Sequence, residues 1–339
     1  MTALLRLEKV SREFRTPAGP IRAVHDVQLD VGAGEAVCLV GESGCGKTTT
    51  GRMLAGIIRP THGRVLFEGS DVWTADARTR ARFRRSVQLV HQDPYASLNP
   101  VRTVRETLTA PLTHHGIAHR GREADRHAAE LLELVDLSPA DQFLPKYPHQ
   151  LSGGQRQRVA IARALTVKPR AIVADEAVSM VDVSIRLALL DVLLGLRDEL
   201  GVAIVLITHD LAIARYFAQR GRIAVMYLGR VIEIGATEAI VADAAHPYSA
   251  ALVSAIPEAD PELTRSKKRV PLRSAEVPSL LELPPGCVFH PRCPLSEAGL
   301  CDTLVPDLLP LRGREVACHV AYREARPAAE LLDVAVASA

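Results

Sequence analysis

The run Gly41-Glu42-Ser43-Gly44-Cys45-Gly46-Lys47-Thr48-Thr49 fits the pattern G-x-x-x-x-G-K-[ST], whose chemistry is phosphate binding. Gly44 and Gly46 let the backbone approach phosphate oxygens with no Cβ in the way. Lys47 would neutralise the β and γ phosphates of a nucleoside triphosphate, and the Thr48 hydroxyl would hold Mg²⁺. Leu151-Ser152-Gly153-Gly154-Gln155 is a polar glycine turn that opens a helix, and so a second anion-binding helix start. Asp175-Glu176 ends an apolar run. A carboxylate at a strand tip beside a phosphate loop is where a Mg²⁺ ligand belongs, and Glu176 can orient and deprotonate a water. Thr208-His209-Asp210 follows a further apolar run, Val202 to Ile207.

Such residues need elements to hold them. Ala36 to Val40 reads as a buried strand feeding the glycine turn, and Thr49 to Ile58 as the helix after it, stopped before Pro60. Leu5 to Val10, Val24 to Val31, Arg64 to Phe67, Val87 to Val90 and Ala171 to Ala174 are further strands. Apolar strands alternating with helices such as Ile185 to Leu200 predict a mostly parallel sheet covered on both faces. Ligands of such sheets bind beyond the carboxyl ends of the strands, so Gly41, Asp175 and His209 are expected to converge. Thr103 to Val135 is helical in pattern. The histidines at 114, 115, 119 and 127 lack a carboxylate or cysteine framework and read as solvated. Arg78 to Arg85 reads as a solvated helix face. Phe14 could stack on an adenine ring or belong to the core. No internal repeat is visible.

The chain has 339 residues, 47% apolar and 24% charged, enough for roughly two domains with a proper core. A formal charge of +2 gives no argument for nucleic acid. No apolar run approaches the ~18 residues of a membrane span, and Met1 to Arg6 lacks the pattern of a signal peptide. A cytosolic chain is expected, with its six cysteines as thiols or metal ligands rather than disulfides.

Together the motifs resemble the ATP-binding subunit of ABC transporters, over most of the chain. Phe14 resembles the aromatic residue that stacks on adenine, and Gly41 to Thr49 the Walker A loop. Gln92 resembles the Q-loop glutamine, which contacts Mg²⁺ and senses the membrane subunits. Leu151 to Gln155 is similar to the LSGGQ signature, Asp175 and Glu176 to the Walker B aspartate and catalytic glutamate. Asp182 falls at the D-loop aspartate and His209 at the switch histidine. The resemblance implies an α/β P-loop NTPase fold with a mostly parallel core sheet and an inserted helical subdomain at about 101–160. It implies Mg²⁺ held by Thr48, Gln92 and Asp175, and catalysis by Glu176, His209 and Lys47. ATP would be held by Phe14, residues Gly41 to Thr49 and Gln92. Ser152, Gly153, Gly154, Gln155 and Asp182 would reach ATP bound to a second ATPase subunit. Two departures stand out: Ala177 replaces a usual proline, and Met180-Val181 a usual alanine-leucine.

Gln92-Asp93-Pro94, Ser97-Leu98-Asn99-Pro100 and His246-Pro247-Tyr248 resemble oligopeptide and dipeptide importers, as do Gly286-Cys287, Arg292-Cys293-Pro294, Cys301 and Cys318-His319. The expected division is a cassette at 1–256 and a small cysteine-bearing extension at 257–339. So short and proline-rich a tail cannot build a large core, so a metal staple is sensible. Cys287, Cys293, Cys301 and Cys318 could hold a [4Fe–4S] cluster, which the resemblance favours, or zinc, or remain free thiols. Cys38 and Cys45 read as packing and loop residues. Arg265 to Arg269 marks the junction, and Ala325 to Ala339 is expected to be poorly ordered. The implied function is ATP hydrolysis that powers peptide import from the cytoplasmic face of the membrane. Its partners would be two membrane-spanning permeases and, indirectly, an extracytoplasmic substrate-binding protein. A nickel-chelate or oligosaccharide importer and a soluble ABC ATPase of DNA repair or translation are the alternatives.

Overall fold

The computed structural model describes residues 3–17, 19–179, 181–257, 262, 265 and 268–332. Two long strands, β1 (Leu5–Thr16) and β2 (Gly19–Val31), lead to β3 (Ala36–Val40), the phosphate loop and α1 (Lys47–Leu54). Strands β4 (His62–Phe67) and β5 (Ser70–Asp71), helix α2 (Ala77–Ser86) and strand β6 (Val87–Val90) follow. Helices α3 (Pro94–Ser97), α4 (Val104–His114), α5 (Arg122–Glu133) and α6 (Gly153–Leu165) precede β7 (Ala171–Asp175). Then come α7 (Val183–Leu200), β8 (Ala203–Thr208), α8 (Leu211–Phe217), β9 (Arg222–Tyr227) and β10 (Arg230–Ala236). After them lie α9 (Thr237–Ala242), α10 (Pro247–Ala255), β11 (Leu309–Leu311), β12 (Arg314–Val316), α11 (His319–Glu324) and α12 (Ala328–Leu331).

The larger sheet has the order β11-β12-β10-β9-β3-β8-β7-β6, parallel from β6 to β9 and antiparallel beyond. A smaller antiparallel sheet runs β2-β1-β4-β5. Strands β3, β7 and β8 are buried along their whole length, which is why they read as unbroken apolar runs. Their side chains alternate between two cores. Ala36, Cys38 and Val40 join one core with α6 and α7. Val37 and Leu39 join the other with α1 and the small sheet.

Several elements differ from their sequence pattern. The helix after the phosphate loop starts at Lys47 and ends at Leu54, not at Thr49 and Ile58. Gly46 turns directly into it, and Gly56 at φ 66° stops it. The helical stretch from Thr103 is broken between Gly116 and Gly121, both at positive φ, into α4 and α5. The extension does not stand alone. Strand β12 pairs with β10, and Val270, Val288, Phe289 and Cys293 join the larger core. A short tail thereby borrows the core it cannot build. The poorly ordered end expected from Ala325 is corrected for its first residues: α12 is docked, Ala328 is buried, and the Ala328 N–H donates to the Ala245 carbonyl at 3.1 Å. Met180, Ser266, Lys267 and residues 333–339 lie outside the described residues.

Candidate functional site

The phosphate loop leaves β3 at Gly41 and enters α1 at Lys47. Three of its glycines have positive φ: 153° at Gly41, 80° at Gly44 and 102° at Gly46. A Cβ at Gly41 would meet the Met226 carbonyl at 2.2 Å, and one at Gly46 the Ala23 carbonyl at 2.2 Å. The loop is therefore pressed between β9 and β2. Lys47 is buried, and its Nζ donates to the carbonyls of Gly41 at 2.8 Å and Glu42 at 2.9 Å. An ammonium on two neutral carbonyls keeps its full charge for an incoming phosphate. Cys45 is buried within the loop, and burial pushes its thiol pKa up, so it packs rather than reacts.

The tips of β7 and β8 meet this loop. The Thr48 hydroxyl donates to Asp175 Oδ1 at 2.9 Å. Burial raises the Asp175 pKa, and the Thr48 hydrogen bond offsets part of that rise. A half-desolvated carboxylate beside a hydroxyl is a hard-oxygen pair that suits Mg²⁺. Glu176 follows in the left-handed region at φ 46°, a conformation that costs about 1–3 kcal/mol for a residue with a Cβ. Its carbonyl accepts from the Ser179 N–H at 3.0 Å and hydroxyl at 2.8 Å, and its N–H donates to Ile207 O at 3.1 Å. So held, its carboxylate accepts from Gln92 Nε2 at 2.9 Å and lies 3.5 Å from His209 Nδ1. Lys47, Thr48, Gln92, Asp175, Glu176 and His209 thus form one constellation, as the strand-tip argument expects.

Other expected residues lie apart from it. Ser152 caps α6 through a reciprocal capping box with Gln155, at 3.2 and 3.0 Å, and is exposed. Gly154 packs against Ile185 of α7, where an added Cβ would approach to 2.5 Å. Among the described residues, no hydrogen bond ties this turn to the phosphate loop. Asp182 is exposed at the start of α7. Phe14 is half-buried near the end of β1, with the Arg12 guanidinium 4.8 Å from its ring centre. The metal centre expected at Cys287, Cys293, Cys301 and Cys318 is not assembled as a site for a single ion. Among the described residues, no three His, Cys, Asp or Glu side chains are grouped to hold one.

Residues 24–179 match the sequence profile of the ABC transporter family, and residues 232–301 that of the oligopeptide/dipeptide transporter C-terminal region. A probable peptide ABC transporter ATP-binding protein of Sinorhizobium fredii is 44% identical over 99% of this chain and 94% of its own. The chain belongs to the ABC transporter ATP-binding family, oligopeptide/dipeptide type. A second ABC relative is the putative oligopeptide transport ATP-binding protein YkfD of Bacillus subtilis. It is 42% identical over 90% of this chain and 91% of its own. Among solved structures, the dimeric ATP-binding cassette MJ0796, in a post-hydrolysis state bound to ADP and Pi, superposes with a TM-score of 0.59. It is 31% identical and covers 67% of this chain and 96% of its own. As an ABC ATP-binding protein the chain is an ATPase.

Two residues that the sequence offers only as part of the importer resemblance reach the phosphate loop. Tyr248 and Arg292 both contact Glu42 of the phosphate loop. They stand 206 and 250 positions away from it in the chain, so no spacing could have joined them.

Proposed function

We propose that the chain is the ATP-hydrolysing subunit of a peptide importer, working as one of a pair of cassettes beneath two membrane-spanning permeases. The observation that carries the catalytic reading is Glu176 held between Gln92 and His209, next to the Thr48–Asp175 pair. Phosphoryl transfer is mostly positioning and charge neutralisation. Phe14 would stack on the adenine, residues Gly41 to Thr49 would cradle the triphosphate, and Lys47 would leave its carbonyls for the phosphates. Thr48, Asp175 and Gln92 would hold Mg²⁺, which supplies further neutralisation of phosphate charge when bound. Glu176 would take the proton of the attacking water, and His209 would hold the γ-phosphate. The capped turn Ser152 to Gln155, exposed at Ser152, and Asp182 would close on ATP carried by the partner cassette. A second helix start that, among the described residues, makes no hydrogen bond to its own chain's phosphate loop supports that arrangement.

The peptide reading rests on the relatives, whose names speak of peptide and oligopeptide transport. No helix among the described residues is long and apolar enough to cross a membrane. Membrane attachment would therefore run through the permeases on the cytoplasmic face, with a substrate-binding protein delivering peptide on the other side. The proposed division is a cassette at 1–256, its helical subdomain at about 101–160, and an extension at 257–339. Uptake of a labelled peptide by cells carrying Lys47→Ala should fall to background, and Ser152→Arg should reduce it as far. Uptake at the unmodified rate in the Lys47 variant would refute the role.

Within the extension the reading is a [4Fe–4S] cluster on Cys287, Cys293, Cys301 and Cys318, with zinc as the alternative. The sulfurs lie close enough to feel one another's charge. Backbone N–H groups of Phe289 and His290, of Leu295, and of Ala321 and Val320 are directed at three of them. Burial pushes the Cys293 and Cys318 thiols up to about 12, so thiolates there need a cation. Protein purified without oxygen should be brown and hold about four irons per chain. One zinc per chain would move the assignment to zinc, and metal-free protein would remove it.

A further inference from the structure

Glu42, the second residue of the phosphate loop, is gripped from three sides. Its carbonyl holds Lys47 Nζ at 2.9 Å. Its N–H donates to the Tyr248 hydroxyl at 3.0 Å. Its carboxylate accepts from both terminal nitrogens of Arg292, Nη1 at 2.9 and 3.1 Å and Nη2 at 3.1 Å. Arg292 belongs to the extension, immediately before Cys293. Its side chain is 5% exposed, and its guanidinium also donates to the Tyr227 hydroxyl and the Ser274 carbonyl, each at 3.3 Å. Tyr227, Tyr248 and Phe289 pack ring on ring beneath it, with centres 4.7–5.4 Å apart. Nearby, Val277, Pro278 and Leu280 of the extension face Ser43 and Gly44 across a cleft of about 230 Å³.

A planar fork binding a carboxylate through two nitrogens fixes direction as well as distance. A guanidinium this deep is costly to leave unpaired, so Glu42 cannot swing away freely. Moving Glu42 would also move the carbonyl that holds Lys47. We propose that Arg292 is a positioning residue for nucleotide binding: through Glu42 it holds the phosphate loop in its receiving conformation, so that the folded extension sets the affinity for ATP. The proposal rests on the reading that this loop binds ATP. It makes the extension part of the nucleotide site rather than an appendage.

The test measures Mg-dependent binding of a fluorescent ATP analogue, together with KM and kcat, for the full chain. The variants are Glu42→Gln, Arg292→Gln, both together, Arg292→Lys and Lys47→Ala. Glu42→Gln and Arg292→Gln should each weaken binding about tenfold, with kcat within about twofold, since the loop and not the general base is disturbed. The double variant should be no worse than either single one. Arg292→Lys, which keeps the charge and loses the fork, should recover part of the loss. Glu42→Gln changes no residue of the extension, and circular dichroism on each variant checks that the chain stays folded. Wild-type affinity in Glu42→Gln, or strictly additive losses in the double variant, would overturn the proposal while Lys47→Ala still abolishes binding. Unchanged binding in Lys47→Ala would overturn the ATP reading and the proposal with it.

Discussion

At the scale of single residues, the site is decided by where a side chain can and cannot exist. Gly46 combines φ 102° with the Ala23 carbonyl 2.2 Å from any Cβ, whereas Gly44 at φ 80° has open space around it. Gly46→Ala should abolish ATP binding, because the backbone carbonyl in the way belongs to a strand and cannot yield. Gly44→Ala should cost only the left-handed penalty of about 1–2 kcal/mol and leave measurable binding. Titration calorimetry on the two variants checks the order, and equal losses would mean that strain alone governs the loop. Glu176 is a second instance: a side chain held at φ 46° by Ser179 and Ile207 carries backbone strain where the chemistry is placed.

At the scale of elements, legibility followed burial. Strands β3, β7 and β8 are apolar on both faces and were readable as such, and so were the residues at their tips. Helix α6 announced itself through Ser152 and Gln155. Strands β9 and β10 were not read: they join through the two-residue turn Leu228-Gly229, too short to stand out as a break between two strands. The hold of Arg292 on Glu42 was not legible either, because it is a contact between distant segments. Helix α10 shows how such contacts set stability. His246 caps it, its Nδ1 accepting from the Tyr248 N–H at 3.0 Å, and burial drives its pKa down to about 3. The unfolded chain binds a proton below about pH 6.5 that the folded chain refuses, so stability should fall as pH drops from 6.5 toward 3. The slope from this residue is about 1.4 kcal/mol per pH unit. Glu233 lies beneath, its carboxylate accepting from the Ala245 and His246 N–H groups, and burial raises its own pKa. Comparison with His246→Asn isolates the imidazole: urea midpoints measured between pH 7 and 5 should fall less steeply in the variant. Identical slopes would contradict the assignment.

At the scale of the whole molecule, one sheet carries the phosphate loop, Glu176 and the extension. Strands β3, β7 and β8 bring Lys47, Glu176 and His209 together beyond their carboxyl ends, while β12 joins the extension to the same sheet through β10. ATP binding and ATP hydrolysis are separable in this layout, since Lys47 stands on the loop and Glu176 on the next strand but one. The most direct measurement is phosphate release from Mg-ATP by Glu176→Gln alongside the unmodified chain, with ATP affinity measured on both. The account predicts unchanged affinity and hydrolysis slowed by about 10²–10⁴-fold, the usual worth of a general base. Hydrolysis by Glu176→Gln at the unmodified rate would contradict it.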